Sequence, residues 1–329
     1  MGPPQPPFKR VPPPPEKLEA WQEGDVIRVR CVLPAENLDG SPIHDIRVVE
    51  IYGGIVPEGV HPLDTVGWGG VIETEEGDRL KALLKGKEFA VEIGREKLGD
   101  FETGRAGFSV RFANERNHWS VNTPVLILPV ARVGGSPGAL SARVEKTGVV
   151  LEWKPPAGTV PRDGYVVRRR ELPGGAAADV GTVGPDATDF RDADLRFETR
   201  YAYSVAPFRN TGGGRVLGAF TPPTDVDTKD TFPPDVPTGL SLVEEEGRLR
   251  LIWNPVADAD LAGYLVYRAG GDSSGETCLT PKPLAAASFT DTDADPARRW
   301  AYRVVAVDRK GNRSTPSETA QWEGRPEDR

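Results

Sequence analysis

Histidine and cysteine are scarce: three histidines (His44, His61, His118) and two cysteines (Cys31, Cys278) among 329 residues. No histidine has a helical i, i+4 partner or a neighbouring cysteine, so the donor spacing of a zinc site is missing. The two cysteines lie far apart in sequence and are read as free thiols. No apolar run reaches 18 residues, so no transmembrane helix is expected. The first residues lack the apolar centre of a signal peptide, which puts any export signal upstream of residue 1. Neither a Gly-x-Ser-x-Gly elbow nor a phosphate loop ending in Gly-Lys-Ser/Thr occurs. Positive charge is also short: the net charge is −8 and the pI about 5.2. Such a surface disfavours nucleic acid and anionic membranes, both of which attract a positive field.

Glycine (37) and proline (32) are abundant and point to many turns. At about 100 residues per all-β module, the length suits three domains. Residues 1–15, MGPPQPPFKRVPPPP, favour extended polyproline II and are expected to form a stiff tether.

The chain repeats itself. Residues 137–155 (PGALSARVEKTGVVLEWKP) and 237–255 (PTGLSLVEEEGRLRLIWNP) share Pro-x-x-Leu-Ser, an alternating apolar run into tryptophan, and a proline two places on. Val149 and Leu151 precede Trp153 as Leu249 and Leu251 precede Trp253, which is the period of a strand face. Gly164-Tyr165-Val166-Val167-Arg168 then matches Gly263-Tyr264-Leu265-Val266-Tyr267, and Tyr201-Ala202-Tyr203 matches Trp300-Ala301-Tyr302. A divergent copy precedes both. Ile27 and Val29 take its alternating slots, Cys31 falls at the tryptophan position and Phe108 at the second tyrosine position. Cys31 to Phe108 spans 77 residues against 50 and 49 in the other copies, so about 27 residues are added within 53–101.

The junctions differ in kind. Residues 129–138 (PVARVGGSPG) carry Gly134-Gly135, expected to act as a hinge, whereas the proline-rich 221–239 is expected to be stiffer.

The strand ending in Trp-x-Pro, the following Gly-Tyr-x-Val and the later Tyr-x-Val resemble the fibronectin type III family over about 300 residues. The resemblance implies an all-β fold of three tandem immunoglobulin-like (fibronectin type III) β-sandwiches: a tether at 1–15, a divergent domain with an insertion at 16–130, and further domains at 136–228 and 234–323. It places Trp153 and Trp253 in the core, with Tyr203 and Tyr302 at a corner where the hydroxyl bonds backbone. Cys31 stands for the tryptophan in copy one, whose core is then expected to be filled by Phe89, Phe101 or Phe112. The opening Gly2-Pro3-Pro4 followed by Pro13-Pro14-Pro15 is similar to the start of processed bacterial envelope lipoproteins, which implies a lipid anchor upstream.

Candidate chemistry is thin. Asp291, Asp293 and Asp295 alternate like the start of a calcium loop, but Pro296 and Tyr302 occupy the glycine and glutamate places. Asp192 with Asp194 and Asp258 with Asp260 read as turn caps. In Arg168-Arg169-Arg170, alternation sends Arg169 to the opposite sheet face. Residues 75–86 predict a short helix with Leu80, Leu83 and Leu84 on one face. No catalytic residue, metal site or cofactor is assigned. The binding candidates are aromatic loop residues: Trp68 in the added segment, and His118 with Trp119 in the turn before the last strand of copy one. The expected function is that of a non-catalytic binding or spacer protein of the cell envelope or extracellular space. Its partner would be a protein or polysaccharide, not nucleic acid, and a membrane only through the anchor. An accessory module for a polysaccharide or an enzyme is the alternative, and catalysis by the added segment of copy one is a third reading.

Overall fold

The structure, a computed structural model, describes residues 10–59, 69–158, 160–270 and 275–324. The chain divides into two compact units, 1–228 and 229–329. The first contains two sandwiches. One is built from β1 (Glu16–Glu23), β2 (Val26–Val32), β3 (Ile46–Ile55), β4 (Gly70–Glu76), α1 (Gly77–Leu83), β5 (Leu84–Lys85), β6 (Glu88–Gly94), β7 (Thr103–Asn114) and β8 (Leu126–Ala131). Its sheets run β1-β2-β6-β5 and β4-β3-β7-β8. The other uses β9 (Gly138–Glu145), β10 (Gly148–Lys154), β11 (Gly164–Leu172), β12 (Ala177–Val183), β13 (Asp189–Asp192), β14 (Arg200–Thr211), β15 (Gly214–Leu217) and β16 (Thr224–Asp227). Here β9-β10-β13 faces β12-β11-β14, and both β15 and β16 pair with β14.

The second unit is one sandwich of β17 (Ser241–Glu245), β18 (Arg248–Ile252), β19 (Leu261–Gly270), β20 (Glu276–Cys278), β21 (Ser288–Asp291), β22 (Trp300–Asp308) and β23 (Ala320–Trp322). Its sheets are β17-β18-β21 and β20-β19-β22-β23.

Alternation decides which face each strand buries. On β2, Ile27, Val29 and Cys31 are buried while Arg28 and Arg30 point out; on β6, Phe89, Val91 and Ile93 are buried. Trp153 and Trp253 sit in the second and third cores, each edge-on to a tyrosine (Tyr165 at 5.5 Å, Tyr264 at 5.2 Å between centroids). Copy one fills the same space from the opposite strand. Cys31 pairs with Phe89, whereas Trp153 bonds the carbonyl of Thr188 and Trp253 that of Ala287. The large and small side chains have changed places across the strand pair, which conserves core volume. Phe112 is fully buried beside Phe89, and Phe101 packs at the margin.

The predicted helix exists but is shorter, α1 spanning Gly77–Leu83 with Leu80 buried. It stops because Leu84 and Lys85 turn extended and pair with Phe89 and Glu88 around Gly86, whose φ of +65° suits glycine. The added residues therefore form β4 and β5, the edge strands of the two sheets, with α1 between them.

Three sequence expectations change. The end of the expected stiff tether is held against the first sandwich: the carbonyl of Val11 accepts from Leu38, and that of Arg10 from the Asn114 side chain. The Gly134-Gly135 hinge is closed. Gly134 is buried, and Ala131, Val133 and Val216 form a small core between the two sandwiches of the first unit. Gly24 N–H donates to Leu217 O at 3.0 Å across the junction, and next to it the Gln22 side-chain amide ties β1 to β8 within the first sandwich, donating to Ala131 O and accepting from Ala131 N–H.

The third change concerns Tyr203 and Tyr302. Their hydroxyls donate to the buried carboxylates of Asp192 (2.8 Å) and Asp291 (2.9 Å), not to backbone. The corner contact belongs two residues earlier. Tyr201 OH accepts from Arg196 N–H, and in copy three Trp300 Nε1 donates to Asp295 O.

Candidate functional site

The sequence-predicted binding residues fall in different settings. Trp68 lies outside the described residues. His118 is half-buried beyond β7; its N–H donates to Asn114 Oδ1 and its Nδ1 lies 3.0 Å from Arg10 O. Trp119 is half-buried and has Arg111 over one face at 4.4 Å. Arg111 also lies over Tyr52 and pairs with Glu50. These contacts tie both residues to their own domain.

Arg169, expected to face away from its neighbours, reaches buried Asp192 at 2.7 Å. Arg268 does the same with Asp291, and each guanidinium covers an aromatic ring, Tyr201 and Trp300 respectively. These buried Arg–Asp–Tyr groups hold strands together.

The added segment of copy one places Glu73 and Glu75 on one strand face. Glu75 is fully buried, and burial above all pushes its carboxyl pKa upward. Arg79 Nε lies 2.8 Å from Glu75, and Lys97 pairs with Glu73. The carboxylates thus fasten α1 and the 3-10 turn at Arg95–Leu98 to β4.

Two arrangements were invisible to sequence reading. In the second unit, Asp230, Asp260 and Asp308 bring carboxylate oxygens within 4.8 Å of one another. They are the described residues with the donor set for a hard divalent cation. Asp308 already accepts from the N–H groups of Lys310 and Asn312. Burial, then the charges of Asp260 and Asp308, push the Asp230 carboxyl pKa upward. The three lie far apart in the chain, so spacing gave no signal.

The second arrangement is a groove of about 630 Å³ on the outer face of β1-β2-β6-β5. Cross-strand register sets Trp21 beside Arg28 and Arg28 beside Glu92, with Arg30 beside Ala90 in the next row. Arg79, Ala82 and Leu83 of α1 form the far wall. Trp21 is 39% exposed, and among the described residues it is the one aromatic side chain left exposed. Its position in an alternating strand was the available signal.

The chain is similar in part to several known proteins. Exoglucanase B of Cellulomonas fimi is 30% identical over 200 residues, covering 59% of this chain and 16% of the enzyme. The chicken CNTN1 FN1–FN3 domains cover 96% of this chain and 99% of theirs, at 16% identity and a TM-score of 0.28. A two-domain fibronectin type III segment of chicken tenascin covers 57% and 98%, at 17% identity and a TM-score of 0.39. No family model matches. What decides the fold is the strand order: a three-stranded sheet facing a larger one around the tryptophan in copies two and three, and two four-stranded sheets facing across Phe89 in copy one. The fold is that of tandem fibronectin type III sandwiches. Among the described residues no helix is long and apolar enough to cross a membrane.

Proposed function

We propose that this chain is a non-catalytic, extracellular accessory protein that presents sandwich modules to a polysaccharide or to an enzyme acting on one. The observation that supports this reading is the match to exoglucanase B, which covers more than half of this chain but a small part of the enzyme. A module shared with so small a share of a larger enzyme fits an accessory role better than a catalytic one. The closed junction within the first unit favours presentation on a firm support. Attachment to a cell envelope through a lipid anchor upstream is the second part of the proposal, supported by the proline-rich opening.

The test is retention of the purified chain on insoluble cellulose, chitin and peptidoglycan, alongside incubation with chromogenic β-glycosides. Retention on at least one polymer without product release is expected. Sustained glycoside turnover overturns the non-catalytic reading, and no retention on any polymer or across a broad glycan array overturns the polysaccharide reading.

A further inference from the structure

The groove of the first sandwich holds one exposed indole that no hydrophobic core accounts for. Trp21 pairs with Arg28 in register but contributes to none of the hydrophobic cores, and its neighbour Gln22, on the other face of β1, is buried against β8. An exposed indole on a strand is a poor choice for solubility, whereas a polar residue would serve a solvated face equally well. The volume, about 630 Å³, lies within the range of small-ligand sites.

The charges of the groove indicate what fits. Arg28 pairs with Glu23 (2.7 Å) and Glu92 (3.0 Å), Arg30 with Glu19, and Arg79 with Glu75. Three of its four cations thus carry their own counter-charges, and the site has little demand for an anion. What remains is a fixed set of guanidinium donors and carboxylate acceptors around one aromatic face. Strand spacing of about 4.8 Å repeats these groups on the scale of a hexose ring. Ala90, small, exposed and paired with Arg30, lines the groove together with Trp21 and α1. The negative face of an indole attracts the partly positive C–H groups on one side of a pyranose, while the equatorial hydroxyls meet the polar rim.

We propose that this groove is a glycan subsite: Trp21 stacks on a pyranose ring of a neutral polysaccharide, and Arg28, Arg30 and Glu92 hydrogen-bond its hydroxyls. The inference rests on the polysaccharide reading above and assigns it to one face of one sandwich. Lys85 and Glu88 extend the polar rim toward the next sugar.

The experiment is affinity electrophoresis of the full chain in gels containing hydroxyethyl cellulose or mixed-linkage β-glucan, with a pull-down on insoluble cellulose. Trp21→Ala is expected to weaken retention roughly tenfold or more, the scale of losing a central aromatic anchor. Ala90→Arg, an exposed strand position, fills the groove and is expected to weaken retention similarly while leaving the circular dichroism and melting curve unchanged. Trp119→Ala is expected to bind as wild type. Retention by Trp21→Ala and Ala90→Arg equal to wild type overturns the groove and leaves the polysaccharide reading standing, as does a loss confined to Trp119→Ala. A wild-type chain held by none of the glycans overturns both.

Discussion

Tyr203 donates its hydroxyl to Asp192 at 2.8 Å, and ninety-nine residues later Tyr302 makes the same bond to Asp291 at 2.9 Å. Arg169 and Arg268 bind the same carboxylates. Burial, reinforced by the adjacent carboxylate, pushes both phenol pKa values far above their usual range. Copy one has Gly53 paired with Phe108 where Arg169 pairs with Tyr203, and Ile93 facing Ile27 where Asp192 faces Val149. All three polar members are replaced together. A partial set would leave a buried charge or hydroxyl without its partner.

Breaking one group is therefore expected to cost more than removing it whole. Asp192→Ala or Asp291→Ala should lose about 3–5 kcal/mol, and Tyr203→Phe about 1–2 kcal/mol. The triple change Arg169→Met, Asp192→Ile, Tyr203→Phe should be less destabilising than Asp192→Ile alone. Urea denaturation of each variant measures the difference.

Burial pushes the Cys31 thiol up to about 12 from an ordinary 9.0. The native state holds this proton where the unfolded chain releases it, so the contribution is complete below pH 9.0 and is lost as pH rises toward 12. Its slope is about 1.4 kcal/mol per pH unit. Urea midpoints should fall over that window, and less steeply for Cys31→Val. In native conditions a thiol reagent should modify half-buried Cys278 and spare Cys31.

Gln22→Leu removes the amide that satisfies both backbone groups of Ala131 and ties β1 to β8 in the first sandwich. A loss of about 2–3 kcal/mol is expected, because a buried N–H and C=O lose their partner. Calorimetry should show a lower melting temperature for the first unit.

The raised Asp230 carboxyl gives the opposite pH dependence to an ordinary paired carboxylate. Its folded pKa lies above the unfolded one, so its contribution is most favourable at low pH and is lost as pH rises through the folded pKa. Asp260→Asn removes one repelling charge and should raise the melting temperature of the second unit at pH 7, with a smaller gain at pH 4. A lower melting temperature at both pH values would show that the carboxylate is held for another purpose.

The repeat of tryptophan and tyrosine at near-constant spacing determined the fold, because alternation and core aromatics are local in sequence. It also marked copy one as different, through Cys31, Phe108 and the added residues. Tertiary structure alone decided where the replacements lead: Phe89 answers Cys31 across a strand pair, and Gly53, Ile93 and Phe108 meet only when two sheets face each other. The closed Gly134 junction and the Asp230–Asp260–Asp308 group are equally non-local. So is the groove beside Trp21, since one strand shows only that an indole faces outward. Its neighbours Arg28, Ala90 and α1 arrive through pairing register and the added segment, which a linear pattern does not encode.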